Sequence, residues 1–314
     1  MSLMSLFWET ANAITPVFVV MFLGIFLNKI RFFSDITKDE IVKLVYYVGT
    51  PALLFYTIAK ADLTTALNPK LLLFVICAIL CYVFLLIALC HNIRDPKKKG
   101  AVIQIGFRSN FAIAGMPLAM SLMNEQGVLT MAIVLAFVTI CYNVTAVILL
   151  SYYGNKTQKK SSLFLDVMKN PLIVGTILGL LVSLLKLPLH PILDKSLQFA
   201  GDIASSLGLL IIGAHVTLKG FQSNRGYILL ALFFRNVLAP VLYLGSAILL
   251  GFRGDALIIT AILSATPAAV NCFVMAKKLG VDPDISAYGV SLTALLSIGS
   301  IFICVYLIKL FGLA

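Results

Sequence analysis

The sequence predicts an all-α membrane protein: ten transmembrane helices in a five-plus-five inverted repeat, with spans four and nine broken and crossing one another. Three observations carry this reading. First, 61% of the 314 residues are hydrophobic and only 12% charged, whereas an ordinary soluble domain carries about a quarter charged residues. Second, apolar runs near the roughly twenty residues needed to cross the hydrocarbon layer recur along the whole chain. Third, two of those runs hold a proline near their middle, at Pro117 and Pro267.

Taken in order, the first expected span is 11–30. The N-terminal segment ahead of it lacks the basic stretch and small-residue cleavage site of a signal peptide, so it is expected to be retained. Span two, 37–58, is interrupted by Thr50-Pro51, and its Lys43 is shallow enough to snorkel to the interface. Span three is 69–91. Span four, 100–123, contains Arg108, Asn110 and the break Gly115-Met116-Pro117, and span five is 127–153. These make a first repeat, 1–153, followed by a polar linker, 154–166, that includes GNKTQKKSS. The second repeat, 167–314, holds spans 167–187, 194–217, 226–250, 255–277 and 283–311. Among these, Asp202 and His215 lie in span seven, Arg235 and Asn236 in span eight, and the break SATPAAVN in span nine.

Basic loops stay cytoplasmic. Lys29, Arg31, Lys38, Arg94, Lys97, Lys98, Lys99, Lys156, Lys159, Lys160, Lys169, Lys219, Arg225, Lys277 and Lys278 follow odd-numbered spans, against Lys60, Lys70, Lys186, Lys195, Arg253 and Lys309 on the other side. Both termini are therefore expected outside a cell (inner) membrane. The net charge of +11 is spread over short loops, which reads as topology signalling and not as a nucleic-acid surface. The six cysteines have neither C-x-x-C spacing nor neighbouring histidines, so they indicate neither disulfides nor a metal site, and no cofactor is expected.

An offset of 155 pairs Pro16 with Pro171, Gly24 with Gly179 and Asp39 with Asp194, and an offset of 150 pairs Pro117 with Pro267. Five spans is an odd number, so a second copy enters the membrane inverted, as in many secondary transporters. A proline inside a helix costs about 3 kcal/mol in water, and lipid offers no solvent to repair the lost bond. Such breaks need protein or a wet cavity around them. Proline favours the first helical position and Thr266 can cap the donors exposed there, so each broken span reads as two half-helices meeting near the bilayer centre. Helix N-termini attract anions, at roughly 0.3–1 kcal/mol each, while the first halves offer carbonyls that suit cations.

Intramembrane charges break that tie. Arg108 and Arg235 are too deep to be routine anchors, and the single opposing group is Asp202. Two arginines against one aspartate favour an anionic substrate. The alternative is that either arginine pairs with Asp202 or caps backbone carbonyls. Asn110 and Asn271 flank the breaks and offer amides to a carboxylate; Asp202 is a candidate for a coupling proton or ion.

The stretches TPVFVVMFLGIFLNKIRFFS, GTPALLF, RSNFAIAGMPLA and ATPAAVNCFVMAKKLGVDP, in this order and spacing, resemble the auxin efflux carrier family, especially compact bacterial members described as malate or malonate permeases. The resemblance implies ten helices in an inverted repeat, a scaffold that is often a homodimer interface, and an architecture similar to that of bile acid sodium symporters, so coupling to Na+ as well as H+ is in view. Carried over, Pro117 and Pro267 are the crossing prolines, and Asn110 and Asn271 are the amides beside them. Arg235 and Asp202 rest on burial arguments alone. Plant members carry a long loop between the halves, which this chain lacks.

The resulting expectation is a secondary transporter of a small organic anion, a mono- or dicarboxylate, working by alternating access in the lipid bilayer. Its expected substrate-binding set is Arg108, Asn110, Gly115, Pro117, Arg235, Thr266, Pro267 and Asn271. The alternatives are an anion channel, which wants a continuous polar stripe, or a Na+-coupled symporter of a larger amphipathic anion. No catalytic motif, metal spacing or P-loop points to an enzyme or to ATP drive.

Overall fold

The computed structural model describes residues 3–60, 68–154, 171–214 and 224–313. The expected linker lies outside these residues apart from Gly154, as does His215. In chain order the helices are α1 (Leu3–Lys29), α2 (Asp35–Leu44), α3 (Thr50–Ala59), α4 (Pro69–Leu89), α5 (Pro96–Phe107), α6 (Gly115–Leu122) and α7 (Glu125–Tyr153). There follow α8 (Pro171–Leu184), α9 (Pro191–Ala214), α10 (Arg225–Phe233), α11 (Ala239–Leu249), α12 (Asp255–Ala265), α13 (Asn271–Leu279) and α14 (Pro283–Leu310). Among the described residues there is no strand, only one isolated antiparallel bridge, Ser109 to Ala268.

Helix starts follow local chemistry. Asn68, Asp95 and Asp282 each accept backbone N–H bonds with their side chains, and each is followed by a proline that needs no N–H partner. Asn124 caps α7 in the same way, through the N–H of Gly127. By length and apolarity, five stretches of the described residues can cross a membrane, namely Pro69–Leu89, Glu125–Tyr153, Pro191–Ala214, Arg225–Leu249 and Pro283–Leu310. Shorter apolar helices, including Asp255–Ala265, accompany them. Large apolar side chains face outward on several of them, Phe84 at 70% exposure and Leu249 at 88%, which suits lipid and would be a liability in water.

Two helix pairs pack with almost no space between backbones. A Cβ on Gly24 of α1 would overlap the Leu210 carbonyl of α9, and one on Gly213 of α9 would overlap the Met21 carbonyl of α1. On the other pair, Gly175 and Gly179 of α8 lie against the Pro51 and Phe55 backbones of α3. Small residues admit this approach, and without a hydrophobic drive in lipid such contact is what holds helices together. At the end of α3, Lys60 Nζ lies 2.9 Å from Asp194 of α9, and that hydrogen bond raises the lysine pKa above its usual range.

The interruption expected at Thr50-Pro51 is a π-helical segment, Val45–Gly49, joining α2 to α3. A second one, Phe234–Leu238, precedes Pro240 between α10 and α11. Proline has no N–H to give, so carbonyls upstream of it need other donors. Ser300 Oγ donates to Asn236 O at 3.0 Å; Phe234 O keeps the backbone N–H of Ala239 and accepts in addition from Tyr82 OH at 2.5 Å.

Candidate functional site

The two proline-containing spans break in the structure and their breaks touch. Helix α5 ends at Arg108 (ψ 101°) and α12 ends at Thr266 (ψ 152°), both extended. The residue before a proline avoids the helical region because the ring crowds its backbone, so α12 stops before Pro267. The chain then runs extended past its counterpart: Asn110 N donates to Pro267 O at 2.7 Å, and Ala269 N donates to Arg108 O at 3.1 Å. Ala268 N donates to Thr293 Oγ1 of α14 at 3.0 Å, and Ser109 Oγ is 3.1 Å from Tyr142 OH of α7. Non-helical backbone at membrane depth is tolerated only when its polar groups are paired in this way.

One expectation changes here. The second half-helices start at Gly115 and Asn271, not at the prolines. Pro267 sits in the extended crossing, so Thr266 caps no helix start, and its buried Oγ1 meets no partner among the described residues. Pro117 is the third residue of α6, whose first N–H groups are already taken: Gly115 N by Asn110 O and Met116 N by Ala112 O, both at 3.3 Å. The donors assigned to an anion at this N-terminus are occupied by the turn that precedes it.

The first half-helices end with carbonyls, and a single side chain collects them. Arg235, 1% exposed, sits in the π segment between α10 and α11. Its Nε donates to Thr266 O at 2.9 Å, and its NH2 donates to Leu263 O and Ser264 O at 2.6 and 2.7 Å. Its NH1 reaches Phe107 O at 3.2 Å. A cation at two helix C-termini is the favourable sign for the macrodipole, and the planar fork matches several acceptors at once. These contacts are those of the carbonyl-capping alternative, and among the described residues there is no ion pair with Asp202. Asp202 is exposed on α9 and is not part of the cleft described next.

Beside the crossing is a small cleft of about 50 Å³, lined by Arg108, Ser109, Asn110 and the following turn, by Asn143 and neighbours on α7, by Tyr46, and by Ala269 to Asn271. Arg108 is 6% exposed. Its NH2 donates to Asn143 Oδ1 at 2.6 Å and its NH1 to the Met275 sulfur at 2.7 Å. Among the described residues it meets no carboxylate within ion-pair distance. Guanidinium nitrogens only donate, so Asn143 must turn its oxygen to Arg108 and its NH2 elsewhere. Among the described residues that Nδ2 and the Nδ2 of Asn110 are both buried without an acceptor.

The cleft thus brings together Arg108, Asn110 and Asn271 from the expected set. Gly115 lies on α6 in tight contact with Met131 and Ile262, Pro117 lies in the same helix, and Thr266, Pro267 and Arg235 form or hold the crossing; none of the last four lines the cleft. Asn143 escaped the sequence reading; the available signal was an amide in the middle of span five, with no break nearby to draw notice.

A family described as membrane transport protein matches residues 10–305. A protein of Rhizobium meliloti named "Putative malonate transporter" is 22% identical over 311 residues, covering 96% of each chain. An "Uncharacterized transporter" of Methanothermobacter thermautotrophicus is also 22% identical, over 303 residues, covering 94% of this chain and 97% of its own.

Proposed function

The chain belongs to this membrane transport protein family, that of the auxin efflux carriers, and on that premise we propose that it is a secondary carrier of a small organic anion held at the cleft beside the crossing. The observation that carries the proposal is electrostatic. Arg108 is a buried guanidinium without a carboxylate, flanked by two buried amide NH2 groups, on Asn110 and Asn143, without acceptors. An unpaired charge near the bilayer centre costs roughly 2.5–3.5 kcal/mol on insertion scales, and each unsatisfied buried donor about 1–3 kcal/mol more. A carboxylate offers the countercharge that Arg108 lacks and the acceptors that the two amides need, through charge-assisted bonds. Asn271 stands at the start of α13 on the same cleft. Arg235 acts at one remove, holding the two half-helix ends that position these groups.

The architecture we propose is ten spans in a five-plus-five inverted repeat, working by alternating access. Two features support it: the two broken spans meet through their extended segments at Arg108–Asn110 and Pro267–Ala269, and the α1–α9 and α8–α3 contacts are alike. In the latter, Gly24 and Gly179, paired by the 155-residue offset, each press on the backbone of the facing helix.

The test is counterflow in proteoliposomes with a panel of labelled mono- and dicarboxylates against neutral and cationic solutes. The expected result is saturable exchange of one or more acids, abolished by Arg108→Gln and reduced at least about tenfold by Asn143→Leu, the loss of one charge-assisted contact. Preference for neutral or cationic solutes, or full exchange by Arg108→Gln, would overturn the anion assignment.

A further inference from the structure

A second, open groove that shares no lining residue with the cleft lies between the π segment with α11 and the facing helix α14. Its walls are Val237 of the π segment with Val241 and Leu244 of α11 on one side and Leu296, Ile303 and Leu307 of α14 on the other, and its volume is about 570 Å³. Val241 is 62% exposed and Ile303 56%. At Gly299, in the groove wall, a Cβ would meet nothing within 4 Å. Its inner end is polar: Asn236 closes it, with Nδ2 shared between Thr293 O and Ser300 Oγ at 3.4 Å each. Its outer end reaches Ile248, Phe311 and Leu313.

From Val237 to Ile248 is eleven helical steps, roughly 16 Å. One leaflet of hydrocarbon is about 15 Å, half of a core near 30 Å. The groove therefore starts near mid-membrane and ends at one interface. At that interface stand two cations. Arg253 is exposed, and its NH1 donates to Ile248 O at 3.3 Å and Phe252 O at 2.6 Å. Lys70 Nζ reaches Leu250 O at 3.5 Å and lies over the Phe252 ring. Capping of the last carbonyls of α11 explains the NH1 contacts, yet it leaves the rest of the Arg253 fork at the groove mouth, where a phosphate would lie.

We infer that this groove is a lipid site, taking one acyl chain of a glycerophospholipid with its methyl end toward Asn236 and its phosphate at Arg253 and Lys70. The match of apolar length to one leaflet selects a membrane chain over a soluble ligand, and the paired cations at the interfacial end select a phosphate head over a neutral one. The inner end of the site is Asn236, next in sequence to Arg235, so the bound chain buttresses the π segment that holds the crossing.

Native mass spectrometry of the detergent-purified protein, titrated with phosphatidylglycerol, phosphatidylcholine and diacylglycerol, tests this. The expected result is one tightly retained phospholipid of either head group and no retained diacylglycerol. Gly299→Phe, which fills the groove without a Cβ clash, abolishes retention, and Arg253→Gln weakens it about tenfold, the loss of one charge-assisted contact. An unchanged elution volume and melting midpoint for both variants show that they fold. Three results would overturn the inference: phospholipid retention unaffected by Gly299→Phe, diacylglycerol retained as well as phospholipid, or a dimer that dissociates in Gly299→Phe, which would make the groove a seat for a second copy.

Discussion

The two buried arginines do different work, and replacing each by methionine separates their roles. Arg235 donates to four carbonyls drawn from the ends of α5 and α12. Methionine fills much of the same volume without a donor, and no water replaces the guanidinium at 1% exposure. A buried acceptor left unsatisfied costs about 1–3 kcal/mol, so even the low end for four carbonyls gives about 4 kcal/mol. That is a large share of the 5–15 kcal/mol typical of a folded domain. At about 2–4 °C per kcal/mol for a chain of this order, the midpoint for heat-induced loss of monodisperse protein falls by roughly 10 °C. Arg235→Lys recovers part of this loss, because a single ammonium cannot span both Phe107 O and the Leu263–Thr266 carbonyls. Arg108→Met leaves behind only Asn143 Oδ1 and a thioether, and removes a charge that has no carboxylate partner. It holds its midpoint within a few degrees and loses the stabilisation by substrate that the parent shows, about 2.7 kcal/mol at a hundredfold excess over Kd. Measuring both variants with and without the transported anion decides the matter. Should Arg235→Met melt with the parent while losing its response to substrate, Arg235 would be a ligand and the positioning argument would be wrong.

Four further outcomes are expected. Asn143→Asp places a carboxylate within ion-pair reach of Arg108, so exchange falls at least as far as in Asn143→Leu while the melting midpoint rises; retained exchange would show that Arg108 need not be unpaired. Asn271→Ala abolishes uptake or export and leaves expression and folding intact; normal transport kinetics would remove Asn271 from the site. Gly213→Ala drives a methyl into the Met21 carbonyl, lowering stability by several kcal/mol, on the order of an overpacked core, and a midpoint equal to the parent's would contradict the α1–α9 contact. Ser300→Ala strips the donor from Asn236 O, which Pro240 cannot supply, at about 1 kcal/mol, read as a small midpoint shift with exchange preserved.

Much of the fold was legible because its signals are local. The Asn-Pro and Asp-Pro starts of α4, α5 and α14 announce themselves in two residues, and Pro267 marks the break after α12, whereas the break after α5 lies at 108–114, ahead of Pro117 in α6. Where the half-helices restart was not legible to the residue. Proline at a first helical position and proline in an extended segment have the same sequence, and what decides between them at Pro267 is pairing with Arg108 and Asn110, some 160 positions away. The arginines were visible as anomalies, but composition alone could not say which would meet carbonyls and which an open cleft.

That division has a physical origin. A break in a membrane helix creates carbonyls at one half and donors at the other, and the protein must settle both without water. Here Arg235 settles the carbonyls from the far side, and the turn at 110–114 settles the donors of α6. Left over in the cleft, among the described residues, are the charge of Arg108, which has no carboxylate partner, and the amide NH2 groups of Asn110 and Asn143, which have no acceptor. Side-chain donors can be tuned one residue at a time without touching the crossing that holds them. On this reading, substitutions at Asn143 change what the cleft accepts, while substitutions at Arg235 lower the stability of the crossing itself.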